Sequence, residues 1–290
     1  MIKSMTGFGK ATAEINGKKF SVEIKTLNSK QADISVRIPS LFKEKEFGIR
    51  SLINQELERG KIDFSLAFET LGETNNFSVN KELFNKYYEE LSNMASELNQ
   101  VNTDIFTIVS RMPDVFKTDK QELEETEWLK VNELIIEAIA ATNNFRATEG
   151  ETLQTELLNR VANILSLLSE VDTHEIKRVP IIKERIETHL AEAVGKENIH
   201  NDRFEQELIF YIEKFDITEE KTRLTTHCNY FIETINNDLS EGRKLGFITQ
   251  EMGREINTLG SKANNADIQK LVVQMKDELE KIKEQTLNVL

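Results

Sequence analysis

Apolar side chains recur at every second position through the first seventy residues, and at every third and fourth position from Lys81 onward. A period of two buries one face of a strand, whereas a period near 3.6 buries one stripe of a helix, so the two parts cannot share an architecture. In the first part, Phe20, Val22 and Ile24 share one face while Ser21, Glu23 and Lys25 take the other. Ile34, Val36 and Ile38 repeat the alternation up to Pro39, and Ile62, Phe64, Leu66 and Phe68 repeat it again. Between them, Leu41, Phe42, Ile49, Leu52, Ile53 and Leu57 follow a helical rhythm closed by Gly60. The expectation is an α+β chain: a small N-terminal β-sheet with one helix, followed by a large all-helical C-terminal region.

The segment LGETNNF (71–77) has turn formers and no periodicity, which places the boundary between a 1–76 α+β domain and a 77–290 helical domain. Helices are expected near 80–99, 104–111, 119–142, 145–170, 174–194, 202–238, 244–260 and 266–288. Breaks are expected at Pro113, Val171-Asp172, Gly195 and Glu241-Gly242. In the last helix Ile268, Leu271, Val272, Met275, Leu279, Ile282 and Leu287 form an apolar stripe that needs a partner in this chain or another subunit. Gly7 and Gly9, in SMTGFG, read as a bulge or tight turn in the first strand.

Only three prolines and twelve glycines occur in 290 residues, which leaves room for long helices. The single cysteine, Cys228, excludes an internal disulfide and a cysteine-rich zinc site. No signal-peptide pattern or membrane span is visible, so a soluble cytoplasmic protein is expected. The formal net charge of −13, taken alone, argues against a nucleic-acid partner. The charge is uneven, however. Residues 1–70 carry twelve Lys and Arg against nine Asp and Glu, a net +3, which leaves −16 on the remainder. Lys3, Lys10, Lys30 and Arg37 belong to this basic part and are candidates for guiding a polyanion. Phe8 and Phe20 read as core residues rather than as base-stacking ones.

Two helical stretches concentrate functional groups. At 100° per residue, Glu251, Arg254, Glu255, Thr258 and Lys262 of QEMGREINTLGSK fall on one arc, beside an apolar arc of Ile248, Met252, Ile256 and Leu259. In DITEEKTRLTTH, Asp216, Glu219, Glu220, Arg223 and His227 share a similar arc, flanked by Ile217, Leu224 and Phe231. Either arc alone fits a solvated face with weak Glu–Arg pairs. Asn257 and Thr258 are poor choices for such a face, and the two arcs together suit divalent-metal chemistry. Hard carboxylate oxygens hold Mg²⁺ or Mn²⁺, and Arg and Lys hold phosphate. His174, His189 and His200 lack such company and read as structural or surface residues. No P-loop, dinucleotide fingerprint, nucleophile elbow or HExxH helix is present.

MIKSMTGFGKA, VEIKTLN, RIPSLFKEKE and ERGKID in the N-terminal half resemble the YicC/YloC family. So do EGETLQTEL, DITEEKTRLTTH and GRKLGFITQEMGREINTLGSK, followed by KDELEKIKEQ, in the C-terminal half. The resemblance spans the chain. It implies a cytoplasmic, bacterial, divalent-metal-dependent endoribonuclease (Mn²⁺ or Mg²⁺). It further implies RNA turnover or small-RNA degradation, a homohexamer whose central cavity opens to admit RNA, and association with other RNA-degrading enzymes. The family motifs fall on Asp216, Ile217, Glu219, Glu220, Arg223, Leu224 and His227, on Glu251, Arg254, Glu255, Asn257, Thr258, Leu259, Ser261 and Lys262, and on Gly242, Arg243, Lys244 and Leu245.

The chain departs from the family at Gly246 (usually Asp), Gly253 (usually Asn), Lys283 (usually Arg) and the closing Asn288-Val289-Leu290, and it reads Asn28-Ser29-Lys30 after the second strand. The glycine at 246 weakens any metal role there.

On this reading Asp216, Glu219, Glu220, Glu251 and Glu255 are the metal ligands, and Glu220, His227, Glu251 and Glu255 the catalytic groups. Arg223, Arg254 and Lys262 bind RNA phosphates together with Arg243, Asn257, Thr258 and Ser261. The competing reading is a non-catalytic RNA-binding adaptor that delivers RNA to another nuclease, with the arcs serving as ion-pair networks.

Overall fold

A computed structural model describes residues 2–29, 31–71, 77–100, 104–118, 123–176, 178–195, 201–237 and 241–290. Lys30, His200 and most of the expected boundary at 71–77 lie outside the described residues. The first unit is a sheet of β1 (Gly7–Ile15), β2 (Lys18–Leu27), β3 (Ala32–Arg37) and β4 (Gly60–Thr70) in the order β1-β2-β4-β3. β1 and β2 form an antiparallel hairpin, and β2 pairs antiparallel with β4, with Phe20 opposite Phe68 and Ile24 opposite Phe64. The β3–β4 pairing is parallel, so the chain must cross over between them. It does so through a short 3₁₀ turn (Ser40–Lys45) and helix α1 (Glu46–Leu57).

Period-two burial now has its cause. Ala11, Phe20, Val22, Ile24, Ile62, Phe64 and Leu66 form one buried face, closed by Phe42, Ile49, Ile53 and Leu57. The other cover comes from Val131, Leu134, Ile135, Ala138 and Ile139 of helix α4 (Glu125–Glu175). A small β5–β6 ribbon (Phe77–Val79, Phe116–Thr118) brackets α2 (Lys81–Glu97) and α3 (Ile105–Ser110).

At 51 residues and 1.5 Å per residue, α4 is about 76 Å long. Its second half supplies Leu153, Leu157, Val161, Ile164, Leu168 and Val171 to a separate core with α7 (Thr218–Ile235), α8 (Gly242–Ala263) and α9 (Ala266–Thr286). Between α4 and α7 lie α5 (Arg178–Val194) and α6 (Asn201–Lys214). Among the described residues no helix is long and apolar enough to cross a membrane.

Several expectations need correction. From Glu125 onward the expected 119–142 and 145–170 segments are one helix, and 119–122 lie outside the described residues. Thr142 is buried and returns its hydroxyl to Ala138 O (2.8 Å), so the polar TNN run does not interrupt it. Nor does Val171-Asp172 break it, because Val171 is core. The 202–238 segment is divided at residues 215–217, between α6 and α7. Gly7 and Gly9 lie in regular β1 and make no turn; a Cβ on Gly9 would collide with Ala138 O and Thr142, so glycine there permits close strand–helix approach. Leu287 is exposed and falls outside the α9 stripe. Phe20 is core, but Phe8 is 40% exposed, beside the ammonium of Lys25.

Candidate active site

The two motif helices lie antiparallel. α7 buries Leu224, Cys228, Phe231 and Ile235, while α8 buries Leu245, Ile248, Met252, Ile256 and Leu259. On its other side α8 closes on α9, where a Cβ at Gly260 would come within 2.9 Å of Val272 and one at Gly253 within 3.2 Å of Leu279. Glycine at 253 is thus used for packing, not for chemistry.

One contact joins the motifs directly. Lys262 Nζ, in the last turn of α8, lies 2.7 Å from Glu220 Oε1 in the first turn of α7. Glu220 is 5% exposed, and its second oxygen, Oε2, is buried without a hydrogen-bond partner. Buried carboxylate oxygens are nearly always satisfied, so an orphaned one at a charged cluster marks a place where a ligand, ion or proton is expected. Asp216, just before α7, accepts from Thr218 Oγ1 (2.7 Å) and Thr218 N (3.0 Å). Those hydrogen bonds, with the charge of Lys262 behind them, hold its carboxyl below the ordinary value.

Beneath this corner, the buried Arg178 donates to Phe215 O (2.7 Å) and Lys262 O (3.3 Å), tying the start of α5 to both motifs. Burial lowers its pKa, against the opposing charges of Glu175 and Asp216. Lys221 completes the corner by bridging Asp172 (2.7 Å) and Glu175 (2.5 Å) at the end of α4. Sequence reading missed Arg178 and Lys221, because no spacing relates their partners to them; only the α4–α7 packing does.

The remaining expected residues spread away from the corner. Glu219 pairs with Arg223 (2.5 Å) and Glu251 with Arg254 (2.8 Å), each within one helix. Arg223 and Arg254 are exposed, so these are weak surface pairs. Thr258 and Ser261 spend their hydroxyls on Arg254 O (3.0 Å) and Thr258 O (2.8 Å), while Asn257 faces solvent. His227 and Glu255 are half-buried, each seven residues along its helix from the Glu220–Lys262 bridge and therefore at one level.

Glu251 lies eleven residues from Lys262, about 16 Å along the axis, and Arg243 nineteen residues, about 28 Å. One chain thus gathers Asp216, Glu220 and Lys262, but not Glu251, Arg254 or Arg243. Among the described residues no three His, Cys, Asp or Glu side chains converge as a metal-ligand group. The guiding cations are separated too, with Lys10 on β1 and Arg37 on β3 at opposite edges of the sheet. Burial pushes the Cys228 thiol up to about 12, which leaves it inert as a nucleophile.

Two family models together match nearly the whole chain: Endoribonuclease YicC-like, N-terminal region, over residues 2–155, and Endoribonuclease YicC-like, C-terminal, over 171–290. The gap between them falls inside α4, where that helix has already passed from the sheet core to the helical core. A protein of Clostridioides difficile (strain 630) named probable endoribonuclease YicC is 32% identical over 292 residues, covering both chains completely. One of the same name from Haemophilus influenzae is 30% identical over 298 residues, again with complete coverage of both. With matches of this extent placed on the α7–α8 corner and on the sheet unit alike, the chain belongs to the YicC-like endoribonuclease family.

Proposed function

We propose that the protein is a divalent-metal-dependent endoribonuclease that cleaves RNA phosphodiester bonds at the Asp216–Glu220–Lys262 corner. The observation that carries this reading is the buried Glu220 carboxylate, bridged to Lys262 through one oxygen and unpartnered at the other. Mg²⁺ and Mn²⁺ sites commonly use one or two protein carboxylates and complete their shell with water and substrate phosphate oxygens. Glu220, with Asp216 beside it, fits that mode. A bound ion supplies charge neutralisation at the phosphoryl group and acidifies its water.

The protein's own groups do the rest. Glu220 Oε2 accepts a proton or holds the ion. Lys262 neutralises a phosphate oxygen, and Arg223, one turn from Glu220, adds bidentate reach. His227 is placed to move a proton on the attacking or leaving oxygen, with Glu255 at its level to orient it. Glu251, Arg254, Asn257, Thr258 and Ser261 extend the polar α8 surface along which an RNA strand runs, and Glu219 sets the position of Arg223.

Assembly into several copies belongs to the same reading. Helix α2 has no buried residue and exposes Tyr88 and Met94, with Leu98 exposed just past its end; α6 exposes Ile209, Phe210 and Ile212. Apolar faces of this kind call for a partner, and the resemblance makes that partner a further copy, up to a hexamer. Light scattering on the purified protein should give a multiple of 33.4 kDa; a monomer at micromolar concentration contradicts it. The cytoplasm is the fitting compartment for such an enzyme.

The surface ion pairs Glu219–Arg223 and Glu251–Arg254 are what the adaptor reading expects of the arcs. Labelled RNA incubated with and without chelator separates the two. Cleavage that stops with EDTA and returns with Mn²⁺ supports the enzyme, whereas metal-independent binding without cleavage supports the adaptor.

A further inference from the structure

At the other end of α8 a second charged site sits where the sheet unit meets the helical body. Its residues come from ERGKID and GRKL, two motifs far apart in sequence. Arg59 leaves α1 through a tight turn in which its N–H donates to Leu57 O (2.7 Å), with Glu58 at φ 57°, ψ −68°. That is the γ-turn of the rarer, strained hand, and a non-glycine residue occupies it only where the surroundings impose it. The surroundings are Arg146, which is fully buried. It donates to Leu57 O (3.0 Å), Met5 O (3.3 Å), Arg59 O (3.4 Å) and Thr26 Oγ1 (3.2 Å), so it grips both sides of the turn, and the charge of Glu58 partly offsets its burial.

The turn delivers the Arg59 guanidinium into a depression of about 510 Å³ that Glu58, Glu241, Gly242, Arg243, Lys244 and Leu290 also line. There Arg59 Nη2 donates to Val289 O (3.0 Å), but its Nε is buried with no partner. Burial first, and then the charge of Arg243, depress the Arg59 pKa against the opposing charge of Glu58, so Arg59 lies within the field of both. Glu241 Oε2 lies 2.9 Å from Lys244 Nζ and provides no side-chain cap to α8, and the first amide of that helix, Gly242 N, donates to Leu290 O (3.3 Å). A depression that takes two guanidinium groups, one of them with an unpartnered N–H, can accept an anion alongside Glu58 and Glu241.

We propose that Arg59 and Arg243 form a phosphate-binding subsite on the RNA path, about 28 Å along α8 from the Glu220–Lys262 bridge. The subsite holds the strand by its backbone and takes no part in bond breaking. The inference rests on RNA being the substrate, but not on Glu220 being the catalytic centre. Because the contacts are to phosphate, they are independent of base sequence and lend the complex its salt dependence.

The test measures binding of a labelled single-stranded RNA to the full chain in EDTA across a salt series. The variants are Arg243→Ala, Arg59→Gln and Glu220→Gln, with the melting temperature of each. Arg243 is exposed, so its variant should melt as the wild type does. The expected result is affinity at least about ten-fold weaker for Arg243→Ala and Arg59→Gln, with the salt slope reduced by about 0.7 per lost phosphate contact. Glu220→Gln should bind undiminished and fail to cleave. Wild-type affinity and slope in Arg243→Ala overturn the subsite while leaving the cleavage reading intact. Weakened binding by Arg243→Ala together with full cleavage by Glu220→Gln does the reverse. If inorganic phosphate raises the melting temperature of the wild type only, and RNA binding is the same in both, the site takes a small free anion and the RNA assignment falls.

Discussion

Asp216 shows how a single carboxylate is enlisted locally before it is available for chemistry. It accepts two hydrogen bonds from Thr218 and shapes the corner at which α6 ends and α7 starts. Those bonds, and Lys262 after them, put its folded pKa below the ordinary 3.8. A depressed carboxylate contributes stability that is present above the unfolded value and lost as pH falls through the folded one. Asp216→Asn should therefore melt at a lower temperature than wild type at pH 7, and the gap should close as the pH is taken below about 4. Melting curves across that range check it; a gap independent of pH contradicts the account.

At the same scale, the type of the key residues could be read from the one-dimensional pattern but not their partners. Glu220 and Lys262 are 42 positions apart, and nothing in either motif says that they touch. Their burial difference from Glu219 and Glu251 follows only from how α7 and α8 turn toward each other.

Elements were legible where a period was uninterrupted and local chemistry agreed with it. Strands β2, β3 and β4, the α+β order, α8 and α9 follow directly from the alternation and the apolar stripes, whereas the short β5–β6 ribbon, inside a region that reads as helical, does not. The continuity of α4 did not, since Thr142-Asn143-Asn144 looks like a stop and is overruled by tertiary burial of Thr142 against β1. Glycines misled in the same way, because a glycine needed for close approach and one needed for a turn look identical in sequence. Gly9 and Gly246 now make opposite predictions. A Cβ at Gly9 meets the backbone of α4, whereas at Gly246, inside α8, it meets nothing within 4 Å. Gly9→Ala should lower stability by about 2 kcal/mol or more through overpacking, and Gly246→Ala should raise it by about 0.5–1 kcal/mol. Urea unfolding midpoints measure both. Equal shifts in one direction would contradict the assigned packing.

For the whole molecule, the organising fact is that one helix serves two cores. The seam is stitched from several directions: Ser4 N donates to Arg146 O (3.0 Å), Met5 N to Asn288 O (2.8 Å), and Leu290 N to Lys3 O (2.9 Å). Arg146 sits at its centre with its guanidinium spread over the sheet unit and the α1–β4 turn. The two cores are thereby expected to unfold together in the wild type. Arg146→Met removes donors from buried carbonyls and should cost roughly 3 kcal/mol. It should also separate the loss of Trp128 fluorescence, which reports the sheet core, from the loss of helical circular dichroism. Coincident transitions in the variant would show that the seam does not couple them.

The same geometry sets the scale of function. The Glu220 corner and the Arg59–Arg243 depression lie at opposite ends of α8, so a strand engaging both must run along the α7–α8 surface.

The most direct measurement is the rate of labelled-RNA cleavage in Mn²⁺ by wild type and by Glu220→Gln, at matched melting temperature and matched RNA affinity. The account predicts that the glutamine variant binds RNA and loses at least about a hundred-fold in rate, as expected when a group acting directly at the reacting phosphate is removed. Cleavage by Glu220→Gln at the wild-type rate, with the same metal dependence, would contradict the assignment of the catalytic centre.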